Sequence, residues 1–306
     1  MVVDLPSDLT VIVCTQDEEL NLAHCLASVK FADLSFVVDG GSSDGTAEIA
    51  TRCGAIVVGH PWSGYAEQKN WALDNLPIST RWVLLMDADE RVPPELAREL
   101  TGITTSSTET KVGFYVARRV IFLGRWLKHS YWYPDFNLRL LRLGFGRFED
   151  RRVHERIVLD GQAGYLRNDL FHEDHRPLAA YVDRLNRYST LEAEEMLRVK
   201  ESRGRVRAPS SFRGDWAARR RALKEGVWYR TPFRPLVRFV WMLLIKRAFL
   251  DGRPGMIFTM LASWNEWLAT AKLYEMRRPF GAGSRPSADP TSTQVTSQPS
   301  PESSEH

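Results

Sequence analysis

Two aspartates separated by one residue, Asp87 and Asp89, follow directly on an apolar run at residues 82–86 (WVLLM). At an extended strand end, residues i and i+2 face the same way, so the two carboxylates are expected to converge. Such a pair suits Mg2+ or Mn2+, which keep several waters and bind through one or two carboxylates plus substrate phosphates. A third aspartate, Asp39, closes the apolar run at residues 36–38. The first apolar run, residues 10–14 (TVIVC), ends in Thr15 with Glu18 close behind. No GxGxxG or GxxxxGK[ST] follows that first run, so glycine-framed amides are not available there to meet phosphate. A nucleotide bound on this acidic edge needs carboxylates for its base and ribose and a cation for its diphosphate. An acidic triplet can also serve as a helix cap, and Pro93 and Pro94 suit the first turn of a helix just beyond it. Its place after the apolar run, with Asp39 one strand earlier, favours the metal site.

These residues need a parallel sheet to bring them together. Residues 10–14, 36–38, 55–58 and 82–86 are expected strands, and helices are expected between them, one covering residues 65–76. Thr15 to Glu18 fits a capping box, followed by Leu22, Cys25, Leu26 and Val29 at helical spacing. Strands alternating with helices predict an α/β fold whose ligands bind at the carboxyl ends of the strands. From about residue 112 the pattern changes. Residues 113–116 and 136–141 look like strands, and Asp160-Gly161 suggests a hairpin turn. Beyond about residue 178 the chain reads as helical and basic.

The chain has 306 residues and is 43% hydrophobic, enough for a sizeable core. Residues 200–253 hold 15 Lys or Arg against 4 Asp or Glu, although the whole chain carries only +3. That asymmetry points to an anionic partner surface. Ten tryptophans, seven of them after residue 100, accompany it. Residues 236–250 and 256–274 are rich in apolar and aromatic side chains, but their uncharged runs are too short for the ~20 residues of a membrane span. They read as interfacial helices on an anionic membrane surface rather than as nucleic-acid-binding or purely core helices. Cys14, Cys25 and Cys53 have no metal-site spacing and read as small core residues in a reducing compartment. The N-terminus lacks a basic region followed by an apolar run, so no signal peptide is expected. The expected location is cytoplasmic, peripheral on the inner face of the plasma membrane. Residues 281–306, rich in Pro, Ser and Thr, are expected to be a disordered tail.

Residues 10–29 (TVIVCTQDEELNLAHCLASV), 36–50 (FVVDGGSSDGTAEIA), 64–72 (GYAEQKNWA) and 82–96 (WVLLMDADERVPPEL) together resemble glycosyltransferase family 2, an inverting family with the GT-A fold. Residues 122–125 (FLGR), 132–135 (WYPD), 138–142 (LRLLR), 153–155 (VHE) and 249–255 (FLDGRPG) resemble its bacterial lipopolysaccharide-core β-glucosyltransferase subgroup. The resemblance implies a GT-A-like, Rossmann-type, mostly parallel sheet with a helical, membrane-associating C-terminal extension. Residues 1–118 would form the nucleotide-sugar-binding half, 119–185 the acceptor-binding half of the same domain, and 186–280 the basic and aromatic extension. It further implies that Asp39, Thr15 and Glu18 bind the nucleoside and that Lys69 approaches the base or diphosphate. Asp87 would face the ribose or metal, and Asp89 would ligate the metal. The donor would be a nucleotide-diphosphate sugar and the acceptor a lipid-linked glycan.

A metal-bound nucleoside diphosphate is already a good leaving group, so the reaction needs a base more than an acid. Glu155 and Asp135 are the candidates to take the acceptor proton. Glu155 is preferred because it follows a short strand-like segment. His154 and His172 are possible metal or diphosphate contacts, although a lone histidine has many structural uses. A sugar nucleotidyltransferase shares the sheet and metal site but needs a glycine-rich basic loop after the first strand. A non-catalytic membrane adaptor would not need to keep Asp39, Asp87 and Asp89.

Overall fold

A computed structural model describes residues 7–149, 157–202, 228, 231 and 233–278. The first half alternates as expected: β1 (Leu9–Thr15), α1 (Leu22–Ser28), β2 (Leu34–Asp39), α2 (Thr46–Arg52), β3 (Ile56–Gly59), α3 (Tyr65–Asn75), β4 (Trp82–Asp87), β5 (Glu90–Arg91) and α4 (Pro94–Thr104). Strands β3, β2, β1 and β4 lie side by side and parallel. β2, β1 and β4 are apolar almost without interruption because both faces are covered. Val11 and Val13 of β1, with Leu84 and Met86 of β4, pack on one side against Leu22, Leu26, Leu96 and Leu100. Ile12, Val83 and Leu85 pack on the other side with Phe36, Ala72 and Leu76. Pro94 opens α4, and Leu96, Leu100 and Thr104 form its buried stripe at the i, i+4, i+8 spacing of one helix face.

The sheet then continues with mixed antiparallel and parallel pairing. It takes in β6 (Gly113–Phe122), β7 (Arg125–Trp126), β8 (Asp135–Arg142), β11 (Ala163–Tyr165) and β12 (Leu170–Glu173), in the order β3-β2-β1-β4-β8-β6-β12-β5, with β7 and β11 also on β6. The expected division at residue 118 falls inside β6, so both halves share this one sheet. β9 (Gly146–Phe148) and β10 (Ile157–Leu159) pair separately. Asp160-Gly161 is therefore not a hairpin turn: β10 before it and β11 after it join different partners.

The capping box also does not form. Thr15 stays in β1, and α1 starts at Leu22 with Asn21 before it. The intervening loop is instead stitched to the loop after β2. Glu18 N–H donates to Thr46 Oγ1 (2.8 Å), Glu19 N–H to Asp44 Oδ2 (3.1 Å), and Ser43 N–H to Asp17 Oδ1 (2.8 Å). Among the cysteines, Cys25 is buried, Cys14 is half-buried and Cys53 is exposed at the end of α2, so Cys53 is not a core residue.

The C-terminal part comprises α5 (Leu178–Ser202), α6 (Arg234–Val240), a π-helical turn (Trp241–Ile245), a 3-10 turn (Ala248–Asp251) and α7 (Gly252–Arg277). Residues 236–250 are thus three short pieces rather than one helix. α7 buries Thr259, Ala262, Glu266, Ala269 and Leu273 against α5 and α6. Across that contact Glu266 Oε1 accepts from Arg238 Nη1 (2.7 Å). Most of the basic segment at residues 203–230, and the tail, lie outside the described residues.

One buried carboxylate fastens this part to the sheet. Asp251 Oδ2 accepts from His129 N–H (2.9 Å), Ser130 N–H (2.7 Å) and Ser130 O–H (2.6 Å). Gly255 is required beside it, since a Cβ there would lie 2.5 Å from Asp251 Cβ and 2.7 Å from Ser130 Oγ. Removing the acceptor strands buried donors. Asp251→Ala should therefore lower the unfolding free energy by about 3 kcal/mol, and Asp251→Asn, which keeps one acceptor oxygen, by less. Urea unfolding checks this, and an unchanged midpoint in Asp251→Ala would show that the strap carries no stability.

Candidate active site

The carboxyl ends of β1, β2 and β4 bring Thr15, Asp39 and Asp87 to one edge. Asp39 is held by Ser42 O–H (2.5 Å), Ser42 N–H (3.0 Å) and Gly41 N–H (3.2 Å), and it accepts a longer bond from Thr15 O–H (3.4 Å). The glycine- and serine-rich turn after β2 thus acts as a cradle that fixes the Asp39 carboxylate. Gly41 has φ +95°, a conformation that glycine adopts without steric cost.

The chain turns after Asp87, so Asp87 and Asp89 do not share strand-end geometry and go to different partners. Asp87 accepts from Lys69 Nζ (3.1 Å) and Arg139 Nη2 (2.5 Å). The same guanidinium nitrogen donates to Glu90 Oε1 (2.5 Å), and Glu90 is fully buried. Arg118 lies 3.8 Å from Glu90 and donates to Asp135 Oδ2 (2.6 Å). Three cations thus interleave with three carboxylates across α3, β4, β5, β6 and β8. Burial pushes Asp87 upward, but Arg139 and Lys69 hold it well below the usual carboxylate range. In Glu90 burial prevails over Arg139, with Asp87 adding to the upward push. Burial disfavours the Arg139 cation, yet Asp87 and Glu90 raise its pKa further.

Asp89 has a different neighbour. His172 Nδ1 of β12 lies 3.2 Å from Asp89 Oδ1, without the alignment of a hydrogen bond. Burial disfavours a charged His172, but Asp89 draws its pKa above the ordinary value. Glu18 is nearby as well. It accepts from Asn21 Nδ2 (2.7 Å) and Arg176 Nη1 (3.2 Å). Burial raises its pKa, while Asn21 and Arg176 oppose the rise. Arg176 and Arg184 both donate to Asp174. Glu155 and His154 lie outside the described residues.

The structure therefore gathers Thr15 with Asp39, Lys69 with Asp87, Asp89 with His172, and Asp135 with Arg118. Arg139, Glu90, Arg118 and Arg176 were not picked out from sequence. Arg139 did leave a signal, because a charge within the apolar strand run LRLLR must be exposed or paired. The others carry none apart from Glu90, which adjoins the aspartate pair.

The model of glycosyl transferase family 2 matches residues 10–170. The chain belongs to this family. A curated relative, the lipopolysaccharide core biosynthesis glycosyltransferase LpsC of Rhizobium meliloti, is 31% identical over 90% of this chain and 94% of its own length. An uncharacterized glycosyltransferase of Rickettsia typhi, RT0209, is 27% identical over 88% of this chain and 87% of its own length. Among solved structures, a mannosyltransferase of Pyrobaculum calidifontis in complex with GDP-Man and Mn2+ aligns over 89% of this chain and 88% of its own, with 16% identity and a TM-score of 0.45. The protein is a glycosyltransferase of family 2 with a mixed α/β fold.

Breaking a buried ion pair from one side costs about 3–5 kcal/mol. Arg139→Met, which leaves Glu90 buried without its main cation, should lose that amount in urea unfolding. Arg139→Lys should fall between, because one ammonium cannot reproduce the guanidinium geometry. A wild-type midpoint in Arg139→Met would remove the ion cluster from the account of stability.

Proposed function

We propose that this transferase moves a hexose from a UDP-sugar to a lipid-linked cell-envelope glycan, with inversion, on the cytoplasmic face of the membrane. The supporting observation is the division of the acidic edge into two parts. Asp87 is neutralised by Lys69 and Arg139, whereas Asp89 is paired only loosely with His172. Thr15, Glu18 and the cradled Asp39 lie on the strand-end edge where a nucleoside would bind, and Lys69 reaches the same edge at Asp87. The curated relative LpsC is named for lipopolysaccharide core synthesis, which fits a lipid-linked acceptor. A sugar nucleotidyltransferase is disfavoured because the loop after β1 carries Asp17, Glu18 and Glu19, not a basic phosphate loop.

Among the described residues, no three His, Cys, Asp or Glu side chains form a preformed metal cage. The orphaned Nδ1 of His172 facing Asp89 fits a divalent Mg or Mn site completed by diphosphate oxygens and water. Asp89 and His172 would hold the ion, Asp87 would face the ion or the ribose, and the ion would supply charge stabilisation for the leaving diphosphate. The acceptor hydroxyl attacks the anomeric carbon, the bond to the diphosphate breaks, and the nucleoside diphosphate departs. The hydroxyl proton passes to a carboxylate. Glu155 remains the preferred base, with Asp135, partly exposed and bonded to Arg118, as the second candidate.

Asp89→Asn should abolish transfer and metal-dependent donor binding while leaving the fold intact. Replacing the base, Glu155→Gln or Asp135→Asn, should cost about 10²-fold or more in rate and leave donor affinity unchanged. Assays of UDP-sugar transfer with Mn2+ and with EDTA check both. Full activity in Asp89→Asn or in EDTA sinks the metal site, and a product of retained anomeric configuration sinks the mechanism.

The membrane face is part of the same proposal. No helix among the described residues is long and apolar enough to cross a membrane. Large apolar side chains are nevertheless exposed through the C-terminal part: Phe233 at 81%, Ile245 at 70%, and Leu236, Leu244 and Trp267 above half. Met242 is buried and cannot take part. Basic residues beside such a surface add up to about 1 kcal/mol each on anionic lipid. The full chain should pellet with vesicles containing phosphatidylglycerol, and the double change Leu244→Glu, Ile245→Glu should release it without changing donor binding. Wild-type protein left in the supernatant at low salt would overturn the membrane assignment.

A further inference from the structure

An aromatic and cationic group lies outside the donor cleft. Trp132, in the connection from β7 to β8, meets Trp241 of the π-helical turn with ring centroids 5.5 Å apart and a tilt of 37°. Lys246 Nζ lies 4.7 Å from the Trp132 ring centre and 5.8 Å from that of Trp241. Trp132 is 54% exposed and Trp241 37%. Lys246 is half-buried, and neither it nor Arg247 makes an ion pair among the described residues. Two indoles and an ammonium thus form a shallow tray at the protein surface.

Several features fix where the tray sits. The connection that carries Trp132 is held at His129 and Ser130 by Asp251. Three residues further on is Asp135, so at most ~11 Å of chain separates the two. Ile245, among the most exposed apolar side chains, immediately precedes Lys246 in the chain. The tray is therefore tied within a few residues both to Asp135, a candidate base, and to the proposed membrane face.

Its chemistry narrows the occupant. An indole face is electron-rich and attracts the weakly positive C–H face of a sugar ring, as it attracts a cation. An ammonium held by aromatic rings rather than by a carboxylate keeps its charge available to an anion. We infer that Trp132, Trp241 and Lys246 form an acceptor subsite for a sugar unit carrying an anionic group, a phosphate or a carboxylate. The assignment rests on the transferase function proposed above and adds the class of acceptor that the function leaves open. Trp132 and Trp241 bind the ring face, and Lys246 binds the anion.

Saturation-transfer NMR on the full chain tests it, with glucose 6-phosphate as the probe and glucose and inorganic phosphate as controls. Ring protons of glucose 6-phosphate should receive saturation from wild type, and glucose should receive less. Trp132→Ala and Trp241→Ala should each reduce the transfer about fivefold, as expected for loss of a stacking face, while Trp241→Phe retains most of it. Lys246→Gln should bring glucose 6-phosphate down to the level of glucose. Equal transfer in Trp132→Ala and wild type overturns the subsite, as does complete displacement by inorganic phosphate in an amount that leaves glucose unaffected. Tryptophan emission that depends on Trp132 and Trp241 and responds to phosphatidylglycerol vesicles, with no transfer to glucose 6-phosphate, assigns the tray to lipid instead. A thermal-shift panel of UDP-sugars with Mn2+ on the same samples separates the two levels. A tray that binds in a protein with no donor shift refutes the donor reading alone, and a donor shift without sugar binding refutes the tray alone.

Discussion

The Arg139 guanidinium is the contact on which the site depends. It lies on β8, the first antiparallel strand after the parallel set, and reaches Asp87 on β4 and Glu90 on β5. Two carboxylates that share one guanidinium nitrogen, one of them fully buried, repel each other unless a cation sits between them. Lys69 from α3 and Arg118 from β6 complete the balance. The antiparallel strands therefore supply charge that the parallel half lacks, in addition to extending the sheet. Neutralising Asp87 and Glu90 in this way leaves Asp89 as the carboxylate of the aspartate pair that still faces His172.

The parallel half was legible because both of its signals are local. Four apolar runs of strand length alternate with helical spacing, and a strand buried on both faces has to be apolar throughout. The carboxylates at the strand ends followed from the same logic. What failed was geometry finer than an element. Thr15 and Glu18 had the spacing of a capping box, but the loop found better partners in Thr46, Asp44 and Ser43 of the neighbouring loop. Asp87 and Asp89 had the spacing of converging strand residues, but the chain turns between them. Asp160-Gly161 had turn chemistry, yet the strands on either side pair with β9 and β6. In each case a long-range partner decided the outcome, and a single sequence does not name such partners. Arg176 and Asp174 were invisible for the same reason, since their value lies in meeting Glu18 and Asn21 from more than 150 positions away.

The C-terminal part serves two purposes that its composition alone could not separate. One stripe of α7 is an ordinary core face, built of small residues against α5 and of Glu266 against Arg238. Trp267 and Met260 remain exposed on the same helix, alongside Leu244 and Ile245 of the preceding turn. Aromatic content marked the region as amphipathic, and only the packing shows which residues belong to which side. Met242, counted among the apolar run, turns inward, while its neighbour Trp241 pairs with Trp132.

The Asp251 strap has a consequence for the order in which the enzyme is made. Residues 9–104 contain the parallel strands and their helices, and such a unit can begin to fold while later residues are still being synthesised. The connection that carries Trp132 gains its Asp251 fastening only from a residue more than 120 positions later in the chain, although β8 beyond it already pairs with β4 and β6. The nascent protein would therefore pass through a stage in which the parallel half exists and this connection still lacks its strap. The strap would close only when the ribosome has delivered the DGRPG segment.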